Sequence, residues 1–96
     1  MEKLKKEFIG TGEVKGFSFH LLCENERAYV YMVVSLPNKY HFEVFKKHTV
    51  ARCVDFKNRI YDENDRKEVY PKSKDFGKWA WTATTKEKAM EKFYKL

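Results

Sequence analysis

Residues 27–35 constrain the fold most, because this segment is apolar on both of the faces that a β-strand would present. One face would carry Ala28, Val30, Met32 and Val34, and the other Tyr29, Tyr31 and Val33. The segment is dense in β-branched and aromatic residues, which favour strands. Because both faces are apolar, we expect this strand to lie at the centre of a sheet that is covered on each side.

Alternating patterns on either side of this segment predict further strands. In residues 17–23 the odd-numbered positions are apolar, so Phe17, Phe19, Leu21 and Cys23 would share one face. Residues 40–46 also alternate, and residues 78–82 would place Trp79 and Trp81 on one face of a short strand. The order of these segments predicts an antiparallel meander.

The chain between these strands carries weaker signals. Val50, Val54 and Phe56 fit one face of a strand, although Val50 and Val54 also fit a helical spacing. The polar run at residues 62–65 is typical of a turn and predicts the tip of a hairpin. The two strands of that hairpin would be residues 59–61 and 68–70.

The C-terminal residues predict a helix. Thr84 and Glu87 have the spacing of a capping box, in which Thr84 caps the first turn and Glu87 is the third helical residue. A stripe of four residues would then face a core: Ala89, Met90, Phe93 and Tyr94. A helix of this length is marginal alone and must dock on the sheet. The predicted fold is therefore α+β, an antiparallel meander of about five strands with one C-terminal helix on a face.

Composition limits the class of protein. The chain has 96 residues, which predicts a single domain over residues 1–96. Hydrophobic residues make up 43% and aromatic residues 17%, so intrinsic disorder is not expected. Lysine and arginine number 20 against 14 acidic residues, for a net charge of +6. No long apolar run is present, so we expect a cytoplasmic protein with no membrane segment and with free cysteines.

The glycine-rich stretch near the N-terminus resembles a phosphate-binding loop only superficially. Gly10, Gly12 and Gly16 are spaced G-x-G-x-x-x-G and precede a predicted strand. A dinucleotide fingerprint has a shorter spacing and opens a helix, whose N-terminus holds the phosphate. We therefore expect a turn at a sheet edge here, with no phosphate site and no cofactor.

Histidine and cysteine residues form no convincing reaction centre. His20 and Cys23 would point to opposite faces of a strand, and no C-x-x-C pair exists, so we expect no metal site. Cys53 could pair with His48 or His41 as nucleophile and base, but no third group is available to orient the base. The sequence therefore predicts a protein that is not an enzyme.

Residues 66–81 combine positive charge with aromatic rings, the composition of a groove for single-stranded nucleic acid. Five basic residues stand against Glu68 and Asp75, which gives this stretch a net charge of +3. Lysines neutralise phosphates, and aromatic rings stack on bases. The candidate binding residues are Arg52, Lys57, Arg59, Tyr70, Lys72, Lys74, Lys78 and Trp79. A competing interpretation is that Trp79 and Trp81 fill the core beneath the helix and contact Phe93.

Several short strings resemble a pattern found in small uncharacterised bacterial proteins, some of them related to phages or mobile elements. The strings are residues 41–45 (HFEVF), Tyr70-Pro71, residues 76–82 (FGKWAWT), and Ala89 with Phe93. The resemblance covers residues 14–96 and implies a stand-alone domain. Residues 76–78 are also similar, by chemical class, to the aromatic-glycine-basic strand of the WGR domain, which implies nucleic-acid binding.

Two functions follow from these patterns. The first is a small, basic, non-catalytic protein-interaction module whose partner is another protein or its own copy. It is motivated by aromatic residues that one short helix would not cover: Tyr29, Tyr31, Tyr40 and Trp79. The alternative is a nucleic-acid-binding protein that uses the lysine and aromatic residues of the 66–81 stretch.

Overall fold

The computed structural model describes residues 2–55 and 57–96. Within these residues the strands are β1 (Glu7–Ile9), β2 (Ser18–Glu24), β3 (Ala28–Leu36), β4 (Lys39–Lys46), β5 (Thr49–Asp55), β6 (Ile60–Glu68) and β7 (Ala80–Ala83). One α-helix, α1 (Lys86–Lys95), follows them, and short 3-10 helices span Gly12–Val14 and Ser73–Asp75. In the part of the chain described, no helix is long and apolar enough to cross a membrane.

The strands form two sheets. Five of them pair antiparallel in the order β1-β2-β3-β4-β7, and β5 pairs antiparallel with β6 in a separate two-stranded sheet. The chain thus leaves the five-stranded sheet after β4 and returns as β7 beside the same strand. The predicted α+β meander of about five strands with a C-terminal helix is confirmed, and the separate hairpin is an addition to it.

The segment that is apolar on both faces lies at the centre of the sheet, as predicted. Tyr29, Val30 and Tyr31 are at most 1% exposed. One face of β3 packs with β4 against the helix residues Ala89 and Phe93. Burial of apolar side chains is the main force that holds a ten-residue helix in place, because such a helix is marginal in isolation.

The helix begins one residue later than the sequence predicts. Thr85, not Thr84, is the N-cap, and its side chain accepts a hydrogen bond of 3.2 Å from the Lys88 backbone N–H. Ala89 and Phe93, four residues apart, face the sheet, whereas Tyr94 lies about 100° further round the helix. The prediction that Tyr94 is a core residue is therefore wrong, since 73% of it is exposed.

The other face of the five-stranded sheet is covered by irregular chain. Residues 69–79, here called the covering segment, contribute Tyr70, Phe76 and Trp79 to a cluster around the buried rings of this face. Leu4 and Phe8, from the N-terminal part of the chain, also pack against this cluster. The sheet is therefore buried on both sides, by a helix on one and by loops on the other.

Two predictions about strand faces are wrong for local reasons. A bulge between Leu21 and Cys23 shifts the register of β2, so Cys23 packs on the helix side of the sheet instead of beside Phe19. Trp79 precedes β7 in a turn and packs on the face opposite the helix. Trp81 lies within β7 and has the Lys92 ammonium of α1 over its ring, so the two indoles lie on opposite faces.

The β5–β6 hairpin, here called the arm, also differs from the prediction. Its tip is the turn at residues 57–59, and residues 62–65 lie within β6. Ala51 pairs with Arg66 but Arg52 pairs with Asp62, so residues 63–65 form a bulge that is skipped in the strand pairing with β5. The polar run makes a local turn there, with the Asn64 N–H donating to Asp62 at 2.9 Å. Val50 lies in β5, while Phe56 falls outside the described residues.

Candidate functional site

The predicted binding residues lie in two separate layers of the molecule. Arg52 lies on β5, and Lys57 and Arg59 lie in the turn at the tip of the arm. The remaining five lie on the covering segment: Tyr70, Lys72, Lys74, Lys78 and Trp79. The arm forms its own sheet, whereas the covering segment lies on the five-stranded sheet. The two groups of residues therefore form separate surfaces.

The turn at the tip of the arm is fixed by short polar side chains. The Asp55 carboxylate accepts hydrogen bonds from the Asn58 backbone N–H at 3.2 Å and from the Asn58 side-chain amide at 2.9 Å. These hydrogen bonds hold the pKa of Asp55 below its usual value. Arg59 follows with a φ of 53°, the left-handed conformation that reverses the chain.

Directly after this turn, the arm exposes one apolar side chain on each face. Ile60 and Tyr61 are consecutive strand residues and therefore point to opposite faces, yet they are 51% and 52% exposed. Seven residues of β5 extend about 23 Å. The radius of gyration is 14.4 Å; a compact chain of this length would have about 12.5 Å. The shape is thus that of a body with a projecting arm.

The base of the arm is anchored to the core by a buried carboxylate. Glu68, at the end of β6, accepts a hydrogen bond from the Leu4 backbone N–H at 3.0 Å and another from the Tyr29 hydroxyl. Burial and the bond to Glu68 raise the pKa of Tyr29 above its usual range, so its hydroxyl remains a donor. The Glu2 N–H and C=O also bond the backbone of β6, to Arg66 and Glu68.

Arg52 takes part in ion pairs within the molecule. Its guanidinium lies 2.9 Å from an Asp65 carboxylate oxygen and 3.3 Å from one of Glu2. Lys57 and Arg59, in contrast, are exposed at the tip. Of the three predicted binding residues on the arm, the two in the turn are thus the most exposed.

Tyr70 is part of the core. Its ring packs edge-on against those of Phe19 and Phe45, with centroids 5.0 and 4.7 Å apart, and its hydroxyl donates to Glu43 Oε1 at 2.6 Å. Burial and the adjacent Glu43 carboxylate raise the pKa of Tyr70 above its usual range. Tyr70 is therefore fixed among core rings and is not a free surface platform for stacking a base.

The rest of the covering segment presents lysines instead of free rings. Trp79 stacks on His48 with centroids 4.7 Å apart and planes 18° apart. Lys72, Lys74 and Lys78 are exposed. Three lysines and one aspartate give residues 69–79 a net charge of +2. This surface is suited to electrostatic attraction more than to base stacking.

Two of the four aromatic residues that sequence reasoning expected to remain uncovered are buried. Tyr29 and Tyr31 are 1% and 0% exposed, because the covering segment and the N-terminal residues close over them. Tyr40 is exposed, as expected. The residues that sequence reasoning missed are Ile60 and Tyr61. The sequence does mark them, as an apolar pair between a basic turn and an acidic run. Sequence reasoning placed the hairpin tip at residues 62–65, so it did not recognise them as tip residues.

Sequence reasoning also missed a cavity of about 590 Å³ on the covered face of the sheet. Its walls come from the 3-10 turn at Gly12–Val14 and from residues 71–76, and its floor includes Phe19, Glu43 and Tyr70. Glu43 Oε2 lies 2.8 Å from His41 Nε2, so the carboxylate is held from both sides. No sequence motif predicts this cavity, because the residues that line it are far apart in the sequence.

The candidate nucleophile and base lie in different sheets. Cys53 is exposed on β5 of the arm, whereas His41 lies on β4 beside Glu43. The other candidate base, His48, precedes β5 and stacks on Trp79. Cys23 is half-buried, and both cysteines are free thiols. Over residues 2–55 and 57–96, no three His, Cys, Asp or Glu side chains are grouped so that they could hold a metal ion. Comparison with protein-family models, curated proteins and solved structures gives no significant match for this chain.

Proposed function

We propose that this protein is a non-catalytic, cytoplasmic protein-interaction module that binds its partner through the tip of the arm. The observation that supports this proposal is the exposure of Ile60 and Tyr61 on opposite faces of the same hairpin. A partner that closed over the tip could bury apolar surface on both faces of the hairpin at once. The two free cysteines fit a reducing compartment.

The chemistry of the tip favours a protein partner. Tyrosine and arginine are the residue types that most often dominate the binding energy of protein interfaces, and Tyr61 and Arg59 are neighbours here. The charges around them are mixed, with Lys57 and Arg59 on one side and Asp62 and Asp65 on the other. Mixed charges steer a protein partner into register, whereas the carboxylates oppose a polyphosphate backbone.

The architecture of the arm gives a second argument. An isolated two-stranded hairpin is at best marginally stable in water. Among the described residues, β5 and β6 pair only with each other, apart from the bridge between Glu2 and Lys67 at the base. The outer edges near the tip therefore retain backbone donors and acceptors for a further strand. A partner that adds such a strand would stabilise the arm as it binds.

The test is a double substitution at the tip, Ile60→Ser with Tyr61→Ser, compared with Tyr94→Ser. Tyr94 is also an exposed tyrosine, but it lies on α1. Immobilised wild-type protein and both variants are incubated with cell extract, and light scattering follows the mass of each protein over a concentration series. We expect a polypeptide, or a second copy of the chain, to bind the wild type and Tyr94→Ser but not the double variant. The proposal would be contradicted if the wild-type protein stayed monomeric and captured only the polypeptides that the double variant also captures.

Nucleic-acid binding is the second candidate, and the exposed lysines of the covering segment favour it. Because Tyr70 and Trp79 are packed against other rings, such binding would rest on phosphate contacts. The paired substitution Lys72→Ala with Lys74→Ala should then lower the log–log salt slope by roughly 1.5, at about 0.7–0.9 per contact. Lys86→Ala with Lys88→Ala on α1 is the control. Fluorescence anisotropy that detects no binding of single- or double-stranded probes at ~50 mM salt, where phosphate contacts are strong, would exclude this candidate.

A further inference from the structure

The cavity on the covered face of the sheet lies apart from the arm and has a distinct chemical character. Its lining includes three charged residues, Glu13, Glu43 and Lys72, so it is net negative in a protein whose overall charge is +6. The rings of Phe19, Tyr70 and Phe76 supply apolar wall. An apolar pocket with a few converging polar groups is the usual form of a small-ligand site.

The Glu43 carboxylate is the fixed polar group of this pocket. Its side chain is 13% exposed, and its two oxygens are held by the Tyr70 hydroxyl at 2.6 Å and by His41 Nε2 at 2.8 Å. A carboxylate offers about four lone pairs, so each oxygen retains acceptor capacity after these bonds. Thr82 lies directly opposite Glu43 on the neighbouring strand and also lines the cavity, which adds a hydroxyl acceptor.

An anionic ligand is disfavoured by the opposite wall. The glycine-rich turn would need free backbone N–H groups to bind phosphate. Those of Val14, Lys15 and Gly16 instead donate to carbonyls within the turn, at 3.3, 3.2 and 3.3 Å. Gly10 holds the turn close to the floor, because a Cβ there would lie 2.8 Å from the Phe19 ring. The wall therefore packs closely against the floor, and these three N–H groups are already bonded to carbonyls.

We propose that this cavity binds an organic cation, an ammonium or guanidinium group carried on an apolar stem. The cationic group would donate to the Glu43 carboxylate and to the Thr82 hydroxyl, and the stem would lie against the aromatic wall. A cation near aromatic faces gains further attraction from the ring quadrupoles. The inference does not depend on the arm, because none of the arm residues that the structure describes lines the cavity.

The test is an NMR titration of the whole protein with n-butylammonium, n-butanol and butyrate, which share a stem and differ in charge. We expect n-butylammonium to shift the resonances of Phe19, Tyr70 and Phe76 and to bind roughly tenfold more tightly than n-butanol, since hydrogen bonds to charged groups are the stronger class. Butyrate should not bind. Equal affinity for the amine and the alcohol, preference for butyrate, or no shift with any probe would overturn the proposal.

Two variants locate the effect. Glu43→Gln retains an acceptor for Tyr70 but removes the charge, and should reduce the preference for n-butylammonium to near unity. Because Glu43 is largely buried, Glu13→Lys provides a second variant at an exposed position on the rim. It should weaken binding of the amine and leave that of the alcohol unchanged, and Glu91→Lys on α1 should affect neither. Unchanged amine binding in a folded Glu43→Gln protein would also overturn the proposal.

A lysine side chain and a free small amine share this chemistry, so both are titrated. The blocked residue N-acetyl-lysine methylamide represents a peptide, and n-butylammonium represents a free amine. Tighter binding of the blocked lysine would assign the cavity to a peptide side chain. Tighter binding of the free amine would assign it to a small molecule, and either result supports the proposed site.

Discussion

The five-stranded body and the two-stranded arm use similar residues for opposite purposes. In the body, Tyr29 and Tyr31 lie on the central strand and are buried beneath the covering segment. In the arm, Tyr61 lies on a strand of the two-stranded sheet and is 52% exposed. A tyrosine in a strand therefore becomes a core residue or a surface residue according to what packs over its sheet, not according to its own strand pattern.

The comparison also separates stability from binding. The body has two apolar faces to bury and closes both, which is where folding free energy is gained. The arm has one pair of strands and a polar bulge, and its firm attachment is at the base. We therefore expect substitutions in the body to act on the free energy of unfolding, and substitutions in the arm to act on association.

The largest expected difference comes from truncating one aromatic residue in each region. Phe45→Ala removes a fully buried ring that contacts Tyr29, Tyr31 and Tyr70, and should lower the free energy of unfolding by about 3–5 kcal/mol. Tyr61→Ala should change it by less than ~0.5 kcal/mol, because the ring is exposed. Urea unfolding followed by tryptophan fluorescence measures both values. Equal losses would show that the arm is part of the cooperative core.

The joint between the two regions should be the next most sensitive place. Glu68→Ala leaves the Leu4 N–H without its acceptor and the Tyr29 hydroxyl without its own, at a cost of about 1–3 kcal/mol. Amide hydrogen exchange should accelerate much more in β5 and β6 than in β3 and β4. Glu7→Ala, at an exposed position on β1, is the control. Uniform acceleration over both sheets would mean that the arm has no independent opening.

Capping of α1 predicts a smaller effect within the body. Thr85→Ala removes the acceptor of the Lys88 N–H and should cost about 1 kcal/mol. Thr84→Ala should cost close to nothing, since Thr85 is the residue that caps the helix. Thermal unfolding of the two variants compares neighbouring threonines directly. A larger loss for Thr84→Ala would restore the cap position that the sequence indicated.

The smallest effect concerns two carboxyls whose pKa values are lowered for different reasons. In the body, the hydrogen bond and charge of Lys47 lower the pKa of Glu24, with Lys3 assisting. In the arm, neutral hydrogen bonds from Asn58 lower that of Asp55. Each group contributes stability above its unfolded-state pKa, which is lost as the pH falls through the lower folded-state pKa.

These causes respond differently to salt. Raising the ionic strength to ~1 M, where the screening length is about 3 Å, should move the pKa of Glu24 back towards its usual value and leave that of Asp55 low. NMR titration of the side-chain carboxyls measures both. Lys47→Met should reproduce the effect of salt on Glu24, and Asn58→Ala should raise the pKa of Asp55. A pKa of Asp55 that follows ionic strength would contradict the assigned cause.

Strands with a strong pattern were predictable from the sequence, and the reasons are local. The two apolar faces of residues 28–34 place β3 at the centre wherever the other strands lie. The spacing of Ala89 and Phe93 likewise identifies the face of α1 that docks. Such patterns depend on residues two or four apart, so they survive without knowledge of tertiary contacts.

The arm and the cavity were not predictable, because each depends on contacts that are distant in sequence or on competing turns. Residues 62–65 contain good turn formers, but the chain reverses at the turn that Asp55 and Asn58 stabilise. Residues 63–65 therefore bulge within β6. The floor of the cavity joins Glu43 to Tyr70, which no periodicity relates. Trp79 lies outside the strand predicted for it, because Gly77, at a φ of 91°, begins a turn that includes Trp79.

The return of the chain as β7 beside β4 has an evolutionary consequence. Everything between these paired strands, residues 47–79, is an excursion whose two ends are fixed by the body. Closing such a loop costs only about 0.6 kcal/mol more for each doubling of its length. The arm could therefore be lengthened, shortened or exchanged at little cost in loop closure, provided that the covering segment is retained. Within the excursion, the arm is the part in which new specificities would arise most readily.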